Sequence, residues 1–153
     1  MAKKPTFAQA QLQLQLYDLR REPKLRAARE WVLEKYFPET LEDAQRLAPP
    51  GSQENAYLRM VVSYWEMACQ MLNCGLLHEE LFFQTTNEFW FLWERTKAGV
   101  PAARKAYRNP RMWMHIEQAA KRYERWAERH APGFLDVLRQ WTEQLRAASK
   151  QSG

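Results

Sequence analysis

Glu66 is the carboxylate with the most unusual setting in this chain. It sits in Asn55–Asn73, a stretch that is otherwise almost wholly apolar. A carboxylate there either pairs with a cation such as Arg20, Arg29 or Arg59, or lies on the narrow polar strip of Arg59, Ser63 and Gln70. A ligand-binding or proton-handling role is the third option, and it would require a perturbed acidity. Carboxylates on helices also invite a di-metal centre, which takes Glu from two helices and Glu-x-x-His from two more. No Glu-x-x-His occurs. His78, His115 and His130 fall in a turn region, within a helix and at a helix end, so no metal or other cofactor is expected. Cys69 and Cys74 flank one helix end without a Cys-x-x-Cys, which reads as reduced core thiols. There is no Gly-x-Ser-x-Gly and no phosphate-cradling glycine loop, so nothing recommends an enzyme.

Two surfaces could bind macromolecules. Arg104, Lys105, Arg108 and Arg111, with Arg122, Arg125 and Arg129, have Tyr107 and Trp113 nearby, and Arg beside aromatics can clamp phosphates and stack bases. The competing reading is a solvated face laced with Glu–Arg and Glu–Lys pairs such as Glu117–Lys121. No helix-turn-helix, zinc finger or RNA-recognition signature accompanies the basic residues. The second surface is a stripe of Met60, Met67 and Met71 with Phe83 and Trp90. Met and aromatics are common where a partner or ligand docks. The alternative is that other helices of the same chain cover it.

The elements that must carry these residues are helical. Gly is scarce, β-branched residues are few and aromatics are abundant, a balance that favours helix over sheet. At 100° per residue, Leu58, Val61, Val62, Trp65, Ala68, Cys69 and Leu72 share one face, with Tyr57, Met60, Tyr64, Met67 and Met71 on another. Ser52 is a candidate N-cap, and Gly75 suits the left-handed position that ends a helix. Residues 79–96 repeat the plan with Leu81, Phe82, Thr85, Thr86, Phe89, Leu92 and Trp93, so the two helices are expected to fold back on each other as a central hairpin. Upstream, Gln11–Leu16 alternates like a strand, but Leu12, Leu16 and Leu19 keep helical spacing and no partner strand follows, which predicts a helix over 7–20. Pro23 opens the next helix, with Leu25, Ala28, Val32 and Tyr36 inward and Pro38 stopping it. Short helices are predicted over 40–48 and 100–108. Longer ones are predicted over 110–130 (Met112, Ile116, Ala119, Ala120, Tyr123, Ala127 inward) and after Gly133 (Phe134, Val137, Leu138, Trp141, Leu145 inward).

The fold class is therefore all-α: a single-domain irregular bundle of six or seven helices over residues 1–153, with short polar ends, 1–6 and 149–153, expected to fray. Residues 1–95 hold 11 Lys and Arg against 13 Asp and Glu, whereas residues 96–153 hold 12 against 5. The basic half raises the question of a polyanion partner. No run of about 18 apolar residues exists and no apolar leader segment follows Lys3 and Lys4, so the expected location is the cytoplasm.

Three places resemble a known family. They are Leu16-Tyr17-Asp18-Leu19-Arg20-Arg21-Glu22-Pro23 with Ala28-Arg29-Glu30-Trp31; Tyr64-Trp65-Glu66 followed by Gly75-Leu76-Leu77-His78-Glu79-Glu80-Leu81; and Met112-Trp113-Met114-His115-Ile116-Glu117. Together they resemble the bacterial helical family catalogued as domain of unknown function 4760. The resemblance implies an α-helical fold, no known reaction and no catalytic residue, and it makes Arg20, Arg29, Glu66 and Glu117 positions worth testing. The expected function is a non-enzymatic protein-interaction or scaffold domain, with a homodimer as one form. The alternatives are weak nucleic-acid or polyanion binding through the basic half, and an effector pocket between the central helices.

Overall fold

A computed structural model describes residues 3–152. Among the described residues the chain forms nine helices and no strand: α1 (Phe7–Leu19), α2 (Pro23–Lys35), α3 (Leu41–Leu47), α4 (Gln53–Asn73), α5 (Glu79–Thr85), α6 (Glu88–Thr96), α7 (Val100–Ala106), α8 (Met114–His130) and α9 (Phe134–Gln151). The all-α expectation holds, while the count exceeds six or seven, in part because one predicted helix is broken in two and another is shortened without being divided. Residues 79–96 divide at Thr86 and Asn87, which adopt extended and irregular backbone. Thr85 contributes to the break, since its hydroxyl turns back to the carbonyls of Leu81 and Phe82 and competes with the helical ladder. The predicted 110–130 helix begins only at Met114, after a left-handed Trp113.

α4 is central, although not as half of a hairpin. It packs chiefly against α2 on one side and α8 on the other; its contact with α6 is minor. Val61, Tyr64, Trp65, Ala68, Cys69 and Leu72 are its buried residues. Leu58 and Val62, expected in the core, are only half-buried. Ser52 accepts from Asn55 N–H as the N-cap, and Gly75 lies at φ +81° just beyond the helix, where a side chain would be strained.

α1 settles the ambiguity of the Gln–Leu alternation. Thr6 and Gln9 form a capping box, which satisfies two otherwise unpaired N–H groups. Gln9 and Gln13, one turn apart, donate across to the carbonyls of Gly75 and Leu81 and to the Thr85 hydroxyl. Leu16 is buried, while Leu14 and Leu19 are exposed.

α9 departs from its predicted face. Leu135 and Thr142 are buried, whereas Phe134, Val137 and Trp141 remain exposed. The helix runs on through Gln151 and so includes residues 149–151. Met1, Ala2 and Gly153, parts of the predicted frayed ends, lie outside the described residues.

Three tryptophans join core to surface. The indole N–H groups of Trp65, Trp90 and Trp126 donate to Glu88, Glu124 and Glu80 respectively. Each ring can thus be buried without leaving its one donor unpaired. Arg95 is the most buried cation. It donates to the carbonyls of Phe91 and Leu33, thereby capping the last turn of α2, and its guanidinium lies over the Phe37 ring. Burial lowers its pKa to about 10.

Candidate functional site

The polar positions singled out in the sequence fall into two ionic clusters. In the first, Arg20 from the end of α1 and Arg29 from α2 converge on Glu88 at the start of α6. Arg29 donates from Nε and Nη2 to the two carboxylate oxygens at 2.8 and 2.7 Å, Arg20 Nη2 donates at 3.3 Å, and Trp65 Nε1 donates at 3.3 Å. The bond to Glu88 raises the Arg29 pKa above its ordinary value. The Arg20 guanidinium sits over the Trp65 ring, 5.2 Å from its centroid. Two charges of one sign share one carboxylate here.

The second cluster holds the start of α8. Glu66 pairs with none of Arg20, Arg29 and Arg59. Its oxygens accept from the backbone N–H groups of His115 and Ile116, both at 3.0 Å. Trp113, the residue before α8, offers no side-chain cap, so α4 supplies one across the interface, where negative charge also suits the helix dipole. Asn73 adds a bond to the His115 carbonyl. One turn into α8, Glu117 accepts from Arg104 and Lys121, both at 2.6 Å. The Lys121 bond, then that of Arg104, holds the Glu117 pKa below its ordinary 4.5. Arg104 Nε also donates to the Met112 carbonyl at 2.9 Å, so Arg104 ties α7, the 107–113 loop and α8 together.

That loop contains the two non-glycine residues at positive φ among the described residues, Arg108 (50°) and Trp113 (62°). Such backbone costs about 1–3 kcal/mol per residue and persists only where the surroundings enforce it. Here the surroundings are the Glu66 cap and the Arg104 clamp. The enforced loop forms one wall of a groove of about 610 Å3. Leu41, Ala44 and Ala48 of α3, Leu58 and Val62 of α4, and Tyr36 make its floor. The opposite wall is the polar strip of α4: Asn55, Arg59, Ser63 and Glu66. Leu58 and Val62 are half-buried for this reason.

The predicted association surface is dispersed. Phe83 and Trp90 are 2 % and 0 % exposed, locked against Tyr123 and other aromatics, so neither is a surface residue. Their apolar stripe is covered by α8 within the same chain. Met60 and Met71 are half-buried, and Met67 alone of the five is exposed. The seven basic candidates also divide. Arg104 is committed to Glu117, and Arg122 donates to Glu79 and Asn73. Lys105, Arg108, Arg111, Arg125 and Arg129 are exposed and form no ion pair among the described residues. The first three belong to α7 and the 107–113 loop, whose Ala103, Tyr107, Met112 and Trp113 line the groove, whereas Arg125 and Arg129 lie towards the far end of α8. Sequence reasoning missed Glu88, which lies 68 residues from Arg20 and 59 from Arg29.

Among the described residues, no group of three His, Cys, Asp or Glu could hold a metal ion, and no helix is long and apolar enough to cross a membrane. No curated protein and no solved structure gives a significant match to the chain. A family model described as Domain of unknown function (DUF4760) matches residues 5–126. That span takes in both ionic clusters and every residue lining the groove, and the chain belongs to the DUF4760 family.

Proposed function

We propose that the chain is a non-enzymatic binding module whose working surface is the α3–α4–α7 groove, and that its occupant is an amphipathic helix of a protein partner with acidic residues beside its apolar stripe. The observation that carries this reading is the pairing of an apolar floor with one polar wall in a cleft enforced by strained backbone. Asn55 to Glu66 is an eleven-residue advance along α4, about 16 Å at 1.5 Å per residue. That length suits about three turns of a docked helix, read through anchors at i, i+4 and i+7. The exposed Arg59 of the groove, with the exposed Lys105, Arg108 and Arg111 of α7 and the loop after it, supplies the charge preference and would steer an acidic partner. On the α3 side, Asp43 is neutralised by Arg46.

The test is selection of displayed helical peptides against the wild-type protein, followed by titration against Ser63→Trp. Ser63 is an exposed residue of the groove, so the indole blocks the cleft without entering the core. Selected peptides are expected to carry acids beside an i, i+4, i+7 apolar pattern and to bind the blocked protein at least tenfold more weakly. Equal binding to both proteins would overturn the reading, as would a self-association that Ser63→Trp leaves intact in the absence of any peptide binder.

A further inference from the structure

A separate cavity of about 270 Å3 opens between α1, α4 and α5, beside the Arg20–Arg29–Glu88 cluster. Four aromatic residues, Tyr17, Tyr64, Trp65 and Phe82, contribute to its wall. Arg20 and Gln13 supply its polar ends, and both carry an enclosed atom without a hydrogen-bond partner among the described residues: Arg20 Nε, a donor, and Gln13 Oε1, an acceptor. The Gln13 amide is oriented by its other end, since Nε2 donates to the Thr85 hydroxyl at 3.0 Å and the Leu81 carbonyl at 3.4 Å. Its oxygen is therefore the atom left to accept. An enclosed polar atom without a partner is costly, and here two of opposite character belong to residues that line one cavity. The adjoining cluster also carries one more positive than negative charge, because Arg20 and Arg29 share the single carboxylate of Glu88.

We propose that this cavity binds a small organic carboxylate with an aromatic body and an N–H donor at the end opposite its charge. The carboxylate accepts from Arg20 and balances the excess charge, as guanidinium groups favour. The ring lies among the aromatic side chains, and the N–H donates to Gln13 Oε1. Gln13 and Arg20 are seven residues apart on α1, roughly 10 Å of helix rise, which sets the separation of the two polar ends. Entry is past Leu14 and Tyr17, both well exposed.

The probe is 4-aminobenzoate, followed by titration calorimetry and ligand-observed NMR on the full chain. Wild-type protein is expected to bind it. Benzoate, which lacks the donor, should bind several-fold more weakly, and neutral 4-aminobenzamide about tenfold or more weakly. Arg20→Gln is expected to cost a similar factor. Because Arg20 also supports Glu88, Leu14→Trp provides the independent variant: it fills the mouth from an exposed position and should abolish binding with the unfolding midpoint unchanged. No binding of 4-aminobenzoate to the wild-type protein would overturn the proposal. So would 4-aminobenzamide matching the carboxylate, or affinity that Leu14→Trp leaves unaltered.

Discussion

Glu88→Gln tests whether the Arg20–Arg29–Glu88 cluster is a structural keystone. The side chains of Arg20, Arg29 and Glu88 are 17 %, 18 % and 12 % exposed, so solvent screens them far less than a surface pair. The substitution keeps the shape, and the amide oxygen can still accept from Trp65. What it removes is the charge that two guanidinium groups share. Breaking a buried pair by deleting one partner costs about 3–5 kcal/mol, since an uncompensated charge remains. The residual exposure places Glu88 at the low end, about 3 kcal/mol, and the exposed repulsion between Arg20 and Arg29 acts in the same direction. For a chain of this size each kcal/mol moves Tm by about 2–4 °C, so a fall of about 6–12 °C is expected. The assay is chemical and thermal unfolding followed by far-ultraviolet circular dichroism, with Arg29→Met and the double variant closing a cycle. A coupling of about 1–3 kcal/mol is expected for groups in one network. A Tm within about 2 °C of wild type would refute the reasoning. So would a coupling that disappears in high salt, since that is the behaviour of an exposed pair.

Other outcomes follow from the same geometry. Glu66→Ala should cost about 1–2 kcal/mol in denaturant unfolding, because it uncaps α8, and hydrogen exchange of the His115 and Ile116 amides should accelerate; unchanged exchange would contradict the capping role. Glu117 has a folded pKa below its ordinary value, so its ion pairs contribute stability above about pH 4.5 and lose it as pH falls through the folded pKa. The stability gap between wild type and Glu117→Gln should therefore be open at neutral pH and closed in acid, as read by unfolding across a pH series. Arg108 is exposed with φ 50°, so Arg108→Gly should be neutral or stabilising by up to about 1 kcal/mol, whereas Arg108→Val should destabilise. A thiol-reactive dye should titrate Cys74, which is exposed, and spare Cys69, which is buried with its thiol pKa raised by desolvation until the protein unfolds.

The contrast between Val61 and Val62 shows what the sequence could and could not reveal. Helical period predicts both to face inward, and it is right for the helix as a whole: Leu25, Ala28 and Val32, or Ile116, Tyr123 and Ala127, occupy the buried faces that spacing assigns them. Period carries no information about which neighbour arrives. Val61 meets the core, while Val62, 100° further round, meets a cleft. The same blindness explains the two misplaced surface residues. Phe83 and Trp90 lie on a second apolar stripe, and only the position of α8 decides that the chain covers it. Long-range polar pairing is harder still. Arg20 and Arg29 came to notice through a family resemblance, but nothing local marks Glu88 as their partner, because an acid in the first turn of a helix is commonplace. Glu66 stood out as a lone carboxylate among apolar residues, yet its partners are backbone N–H groups, which every residue but proline possesses and no sequence pattern advertises.

The break at Thr86-Asn87 has a local signal, a Thr-Thr-Asn run of weak helix formers, which the apolar period around it masks. That break is what allows the cluster to exist. It frees Glu88 to start a new helix, α6, aimed at α1 and α2, rather than continue the axis of α5. A continuous helix through 79–96 would change the direction of Glu88 relative to Arg29 and leave two guanidinium groups without their shared carboxylate. The irregular backbone at Thr86-Asn87 is thus repaid by the ion network, just as the left-handed backbone at Trp113 is repaid by the Glu66 cap. In both places a local rule of helix formation yields to a long-range polar contact. Both places also border a cavity, one on each side of α4, and for that reason the two breaks mark the parts of this fold where binding is to be sought.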